Sequence, residues 1–160
     1  MMSKKSCPKW RDWEREVSRE FGFKEVVASG STDNFKGDCK GNKLLVDCKH
    51  TDKKVYSLTF NMWEKVTTWA INESRQPMLA VRTELGDYVV LPEHVNYEVT
   101  GKTYWDDFAK GQKSVSIGKQ KRPMFYRLRD GSASLFIVVS PIDDVRNSIR
   151  EYEALYEQGK

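Results

Sequence analysis

Apolar residues near the start of the chain recur at helical spacing. Four of them lie three or four positions apart, namely Trp10, Trp13, Val17 and Phe21. This spacing predicts an amphipathic helix over about residues 8 to 21, which Gly22 ends. The next segment, FKEVVAS, has the composition of a strand, and GSTDNFKG is a loop rich in turn-forming residues.

The pattern then changes to strand periodicity. GDCK and KLLVDCKH form a β-hairpin around Gly41-Asn42, a dipeptide that suits a tight turn. A second helix follows, with Asn61 and Glu64 spaced as a capping box at its start. Its apolar stripe consists of Phe60, Trp63, Thr67, Ala70 and Ile71. Two further strands, MLAVRT and DYVVL, are joined by a short turn at Leu85-Gly86.

The last third of the chain predicts two more strands and a closing helix. MFYRLRDGSASLFIVVS is a strand pair that turns at Asp130-Gly131, and IDDVRNSIREYEALY is an amphipathic helix. The stripe of this helix consists of Ile142, Val145, Ile149, Tyr152 and Tyr156. We therefore expect an α/β fold, a central mixed sheet flanked by helices. The length fits one domain over residues 1–160, with a core in 1–92 and a C-terminal elaboration in 93–160.

The composition is that of a folded soluble protein, with 39% hydrophobic and 31% charged residues. No apolar run is long enough for a membrane span, and the first residues lack the apolar centre of a signal peptide. We expect a cytoplasmic protein, located in the host cytoplasm if a phage encodes it. The three cysteines, Cys7, Cys39 and Cys48, show no CxxC spacing, which predicts reduced thiols.

Positive charge is concentrated late in the chain. Between Gly111 and Arg129 there are basic residues and no acidic one. These basic residues are Lys113, Lys119, Lys121, Arg122, Arg127 and Arg129. Such a segment favours a polyanionic partner, although a solvated surface has the same composition.

Two charged residues end an apolar strand in KLLVDCKH. Because side chains alternate along a strand, Asp47 and Lys49 share one face, opposite the face of Val46 and Cys48. Asp38 lies across the hairpin and can approach the same point. Adjacent carboxylates repel each other unless a cation keeps both ionised, and Mg²⁺ suits such a pair. The alternative is a solvated strand end without a site.

The spacing of these three residues resembles that of the PD-(D/E)XK nuclease superfamily. A longer series, EREVSREFGFKEVVASGS, followed by GDCKGNKLLVDCK, the helix around Trp63 and the strand QPMLAV, resembles archaeal-type and phage-encoded Holliday junction resolvases. The similarity covers about the first ninety residues. The sequence differs from the family at Gly37, where the pattern has proline, and at Asp47, where relatives more often have glutamate.

The resemblance implies a restriction-endonuclease-like core and a Mg²⁺-dependent endodeoxyribonuclease that nicks four-way DNA junctions symmetrically, with Mn²⁺ able to replace Mg²⁺. Paired cuts imply a homodimer. We expect its interface on the second helix, around Trp63, Val66 and Trp69, or on the closing helix. The alternatives are a non-catalytic DNA-binding module with a nuclease-like fold and a repair or restriction nuclease acting on another DNA structure.

The resemblance also assigns the site. It implies that Glu14, Asp38 and Asp47 bind the metal with the backbone carbonyl of Cys48, and that Lys49 and Ser31 complete the catalytic set. Glu14 flanks the apolar stripe of the first helix and can reach inward, whereas Glu16 points away and is the fallback. The expected DNA contacts are Arg15, Ser31, Lys36, Lys119, Lys121 and Arg122.

Two other features have simpler interpretations. Cys39, Cys48 and His50 could gather around zinc, but no fourth ligand is evident, so buried thiols are the preferred interpretation. Tryptophans can stack on nucleobases, but those of the two helices occupy apolar stripes, and packing explains them first.

Overall fold

The computed structural model describes residues 9–25 and 38–158. Cys7, Ser31, Lys36, most of the predicted FKEVVAS strand and the loop after it lie outside the described residues, as does the side chain of Trp10. The helices are α1 (Lys9–Phe21), α2 (Phe60–Asn72), α3 (Glu93–Thr100) and α4 (Ile142–Gln158). None of these helices in the described part is long and apolar enough to cross a membrane.

The described residues contain ten strands. The first five are β1 (Lys24–Glu25), β2 (Cys39–Lys40), β3 (Leu44–His50), β4 (Tyr56–Thr59) and β5 (Gln76–Thr83). The other five are β6 (Gly86–Pro92), β7 (Gly111–Gln112), β8 (Ser114–Ile117), β9 (Met124–Asp130) and β10 (Ala133–Pro141).

Eight of the strands form one mixed sheet in the order β1-β2-β3-β5-β6-β10-β9-β7. The pairs β3-β5 and β7-β9 are parallel, and the other pairs are antiparallel. Strands β4 and β8 form a separate two-stranded sheet. The predicted α/β class is confirmed, including the hairpin at Gly41-Asn42, the turn at Leu85-Gly86 and the C-terminal strand pair with its helix.

The sheet separates two apolar layers. One layer packs residues of α1, α3 and α4 against alternate positions of the sheet, including Leu44, Val46 and Cys48 of β3. The other packs α2 and the β4-β8 pair against the opposite face, including Leu79 and Val81 of β5. Because even-numbered residues of β3 enter the first layer and side chains alternate along a strand, the odd-numbered Asp47 and Lys49 are directed to the α2 side.

The start of α2 differs from the prediction. Its N-cap is Thr59, whose hydroxyl accepts a hydrogen bond from the Met62 amide at 3.2 Å, so the predicted capping box of Asn61 and Glu64 is wrong. The cap comes two residues earlier, at the last residue of β4, because Thr59 has the extended backbone that a capping residue needs. Ile71, predicted on the apolar stripe, is 65% exposed.

Several short elements were not predicted. Helix α3 has eight residues, of which only Val95 and Asn96 are buried, too few for a helical stripe to show. Strands β4 and β8 have four residues each and depend on pairing with each other across more than fifty positions. In α4 the predicted stripe is buried up to Tyr152, whereas Tyr156 is exposed.

Candidate active site

Asp47 and Lys49 lie on the central strand β3, on the face covered by α2. The Asp47 side chain is buried, and its Oδ2 lies 3.2 Å from Nζ of Lys49. Burial lowers the pKa of Lys49, but the charge of Asp47 and the hydrogen bond to it outweigh burial, so the pKa is raised. Lys49 therefore carries a positive charge at neutral pH.

Asp38 joins this pair from the start of the hairpin. Its amide donates to the Val46 carbonyl at 2.8 Å, and its Oδ2 accepts from the Cys48 amide at 2.7 Å. This anchorage places its carboxyl against that of Asp47. Burial, the charge of Asp47 and a hydrogen bond with Asp47 raise the pKa of Asp38 to about 8, against the opposing effect of the Cys48 amide.

Helix α1 contributes the third carboxyl. Glu14 is half-buried and hydrogen-bonded to Asp38. Burial raises the pKa of Glu14, while the hydrogen bond with Asp38 opposes this effect. Glu16 lies elsewhere, in a two-pronged ion pair with Arg82 at 2.7 and 3.0 Å. Of the two helix glutamates, the structure brings Glu14 to the aspartates.

The Cys48 carbonyl is directed to the same edge. The carbonyls of Leu44 and Val46 accept from Gly41 and Asp38, each at 2.8 Å. Because alternate carbonyls of a strand point to the same edge, that of Cys48 points toward the Asp38 side.

These oxygen donors fit a hard divalent cation by their chemistry. In residues 9–25 and 38–158, no three His, Cys, Asp or Glu side chains have the spacing of a metal site. Besides burial, the charges of Asp47 and Glu14 raise the pKa of Asp38, so the three carboxyls are close enough to repel one another when ionised. A cation bound by carboxylate oxygens would relieve this repulsion, and Mg²⁺ is bound by such oxygens.

A cavity of about 150 Å³ opens beside Asp47 and Lys49. Strand β4 contributes Tyr56 and Leu58 to its wall, and β5 contributes Leu79. Helix α2 contributes Met62, Lys65, Val66 and Trp69. Burial raises the pKa of Tyr56, although the nearby Lys49 charge opposes this effect.

Sequence reasoning missed Tyr56 and Lys65. Tyr56 belongs to a short strand that was not predicted, and Lys65 is one of several lysines without a distinguishing pattern. The signal that could have pointed to Lys65 is its spacing of three residues from Met62 and four from Trp69, which places all three on one face of α2.

The predicted basic residues Lys119, Lys121 and Arg122 are exposed on the loop between β8 and β9. The buried Gln120 side chain fixes this loop, because it accepts from the amides of Gly118 and Lys119 and donates to the Ser116 carbonyl.

Contacts at Gly118 place this loop on the α2 side of the sheet. The Gly118 carbonyl accepts from the Tyr88 hydroxyl at 2.8 Å. Gly118 has φ +144°, and a Cβ there would clash with the Lys54 carbonyl oxygen. The loop therefore lies against the segment that follows Lys49. Arg15, also predicted to contact DNA, is exposed on α1.

A buried glutamate of α4 supports the hairpin. Oε2 of Glu153 accepts from the amides of Lys43 and Leu44, both at 2.9 Å, and its other oxygen accepts from the Asn42 amide. This carboxyl binds the turn between β2 and β3, which carry Cys39, Asp47 and Lys49. The closing helix thus positions the candidate site from a distance in sequence of about a hundred residues.

The two described cysteines are buried free thiols beneath α1. Their sulfur atoms lie 4.0 Å apart, and the Ser18 hydroxyl lies 3.0 Å from the Cys39 sulfur. The hydrogen bond with Cys39, together with burial, raises the pKa of Cys48, and the same bond lowers the pKa of Cys39. His50 forms no metal-holding group with them within the described part of the chain.

Comparison with known proteins finds similarity to solved structures. No protein-family model and no curated protein matches the sequence. The structure is similar to that of Archaeoglobus fulgidus Hjc, a Holliday junction resolvase from an archaeal hyperthermophile. The match covers 68% of this chain and 88% of that chain, with 14% sequence identity and a TM-score of 0.44. A functional assignment therefore has to come from the residues of this chain.

Proposed function

We propose that this chain is a metal-dependent endodeoxyribonuclease that hydrolyses phosphodiester bonds in branched DNA, with the four-way junction as its substrate. The observation that carries the proposal is the grouping of Glu14, Asp38, Asp47 and Lys49 at the end of a central strand. Three carboxyls and one ammonium gathered there cost folding free energy, because charged groups lose hydration on burial, and a bound cation would offset that cost.

The metal would be held by Asp38 and Asp47, with Glu14 and the Cys48 carbonyl as further ligands. Mg²⁺ is the expected ion and Mn²⁺ its expected substitute, since both accept carboxylate and carbonyl oxygen. A bound Mg²⁺ would supply a Lewis acid for the scissile phosphate and lower the pKa of a water. The rigid hydrogen bond from the Cys48 amide keeps the Asp38 carboxyl in place for this role.

Lys49 would act through its charge. Its raised pKa keeps the ammonium protonated at neutral pH, so it is a poor proton acceptor. At 3.2 Å from Asp47 it can orient the attacking water by donating a hydrogen bond, or offset the negative charge that develops on the phosphate. Ser31 remains a proposed catalytic residue because of the resemblance alone.

The DNA would approach the α2 side of the sheet. The loop with Lys119, Lys121 and Arg122 lies against the segment that follows Lys49, so its cations border the same face as the candidate site. Contacts of lysine and arginine with phosphates position DNA without reading its sequence. Arg15, Ser31 and Lys36 are proposed as further contacts.

Two cuts in one junction require two sites, and the described residues of one chain contain one such cluster of carboxyl groups. We therefore propose a homodimer. Helix α2 is not available as its interface in the way that the sequence suggested, because Trp63 and Val66 are buried in the chain's own core. A group of exposed aromatic residues lies at the β9-β10 end of the sheet, around Trp105 and Phe136.

The test is a cleavage assay on a labelled four-way junction beside linear duplexes of the same sequence, in Mg²⁺, Mn²⁺ or EDTA. We expect paired nicks in the junction with either metal, none in EDTA, and loss of cleavage but not of binding in Asp47→Asn. Junction binding without cleavage in either metal would establish the non-catalytic DNA-binding module. Equal cutting of junction and duplex would establish a nuclease for another DNA structure.

A further inference from the structure

The cavity beside the candidate site has walls of an unexpected kind for a phosphate site. Asp47 and Lys49 form one end of it, but most of the wall is apolar, from Leu58, Met62, Val66 and Leu79. A phosphate placed against such walls would lose hydration without gaining hydrogen bonds, whereas a flat aromatic ring would gain by leaving water. The walls thus favour a nucleobase over a phosphate group.

We infer that this cavity binds one unstacked pyrimidine base of the nucleotide next to the scissile phosphate. The inference deepens the proposed nuclease function and rests on it, because it assigns a substrate feature to the same site. Asp47 and Lys49 line the cavity, so a base that enters belongs to a nucleotide adjoining the phosphate that they contact. Trp69 belongs to the wall, and an indole is a side chain on which nucleobases stack.

The volume selects the base. The cavity measures about 150 Å³, and an apolar cavity of about 150 Å³ accepts one benzene ring. A pyrimidine is one six-membered ring with small substituents and fits this space, whereas a purine adds a fused five-membered ring. Tyr56 and Lys65 provide the polar groups in the wall that can meet the ring substituents.

Branched DNA supplies such a base at low cost. Removing a base from a stacked duplex costs free energy, and the cost is smallest where the base is already unpaired. A base at a junction branch point has lost a stacking neighbour, so it enters the cavity more readily than a base within an arm. The cavity therefore gives a physical reason for a preference for branched over linear DNA.

The experiment uses a panel of four-way junctions that differ only in the bases flanking the mapped cut, with C, T, A, G or an abasic site. A purine that is too large for the cavity loses the base-aromatic stack, so we expect cleavage about tenfold faster with C or T than with A or G at one flanking position. Equal rates for all five substitutions at both flanking positions would overturn the inference while leaving the nuclease function intact.

A second measurement needs no cleavage. Junctions carrying the fluorescent one-ring base 5-methylpyrimidin-2-one at single positions are bound to the wild-type protein in EDTA. We expect a fluorescence change at one position next to the cut and none at positions within the arms. The same junction without the fluorescent base, at the same protein concentrations, serves as the reference. No position-specific change, or no DNA binding at all, would overturn the inference.

Two variants of α2 decide whether this cavity is responsible. Met62→Trp fills the cavity and should remove both the pyrimidine preference and the fluorescence change. Thr68→Trp adds the same side chain at an exposed position of the helix and should keep both. If Met62→Trp does not fold, the panel and the probe still decide with the wild-type protein. A folded Met62→Trp that keeps both signals would overturn the inference.

Discussion

At the scale of single residues, the buried carboxyl of Asp38 makes the stability of the fold depend on pH. Its pKa, about 8 instead of the ordinary 3.8, means that the folded chain keeps a proton that the unfolded chain loses above about pH 4. The unfolded state then binds fewer protons than the folded state, so this group makes stability fall as pH rises from about 4 to 8, with no further effect above. Besides burial, the charges of Asp47 and Glu14, which face Asp38, both help to raise its pKa.

We therefore predict that the metal-free protein melts at progressively lower temperature between pH 5 and pH 8, and that Asp38→Asn melts with a shallower dependence. Adding Mg²⁺ should raise the melting temperature more at pH 8 than at pH 5, because the cation binds the ionised carboxyls. Thermal unfolding in EDTA and in Mg²⁺ measures both effects. Parallel pH profiles for the wild type and Asp38→Asn would contradict the prediction.

The two glutamates of α1 provide a matched pair for the catalytic role. Glu14→Gln removes a proposed metal ligand, so we expect cleavage to fall by at least about a hundredfold. Glu16→Gln should cut normally and lose only its partly exposed ion pair with Arg82, worth about 1 kcal/mol or less of stability. Single-turnover cleavage and melting temperature measure the two effects. A dead Glu16→Gln beside an active Glu14→Gln would reverse the assignment.

Some of this site could be predicted from residues alone. Strand alternation is enough to place Asp47 and Lys49 together, and helical spacing is enough to separate Glu14 from Glu16. Tyr56, Lys65 and Glu153 could not be found in this way. Tyr56 and Lys65 reach the site because β4 and α2 pack on the sheet, and Glu153 because α4 packs against the hairpin.

At the scale of elements, the hairpin of β2 and β3 depends on a helix that is remote in sequence. The buried Glu153 carboxyl accepts from three consecutive amides, those of Asn42, Lys43 and Leu44. We predict that Glu153→Ala lowers the free energy of unfolding by about 3 kcal/mol, because it leaves these amides without their acceptor. The melting temperature should fall by roughly 5–10 °C.

The control is Glu151→Ala, which removes an exposed carboxyl of the same helix. It should change stability by about 0.5 kcal/mol or less. Hydrogen exchange localises the effect, since the amides of Lys43 and Leu44 should lose protection in Glu153→Ala before the rest of the sheet. Equal destabilisation by the two variants would show that the carboxyl does not hold the turn.

The elements that were predicted correctly are those with long periodic patterns, such as α1, α4 and the β9-β10 pair. The errors occur where tertiary contacts decide. The cap of α2 lies at Thr59 because the chain enters the helix directly from β4. Val66 is buried whereas Ile71 is exposed, so the apolar stripe of α2 includes Val66 in place of Ile71. Short elements such as α3 carry too few buried residues for periodicity to reveal them.

At the scale of the whole molecule, strand order is what the sequence could not supply. Strand β10 lies between β6 and β9, and β8 pairs with β4, so the C-terminal half extends the sheet and also covers its α2 face. These pairings are set by shape and burial across long separations, not by local pattern. They determine which surfaces are left for partners.

The largest exposed aromatic group lies at the β9-β10 end of the sheet, on the face away from α2. Trp105 packs on Phe125 and Phe136, with ring centroids 4.8 and 4.9 Å away, yet Trp105 and Phe136 remain 47% and 36% exposed. In the same loop, Phe108 is 91% exposed. An exposed group of this kind marks an interaction surface.

The charges around this aromatic group suit a second copy of the chain. Asp106, Asp107 and Lys110 lie in the loop beside it, while Arg127 and Arg129 lie on β9. A surface with both signs can complement itself across a two-fold axis, because each arginine can meet an acid of the partner.

We predict that the protein is a homodimer through this face, so that light scattering at micromolar concentration gives the mass of two chains. Replacing Phe108 and Phe136 together by glutamate should produce a monomer, because four buried like charges would oppose association. Leu155→Glu, which charges an exposed apolar residue of α4, should leave the dimer unchanged. A monomeric wild type would refute the dimer. A dimer that survives the Phe108 and Phe136 substitutions but is lost in Leu155→Glu would move the interface to α4, beside the hairpin that carries the candidate site.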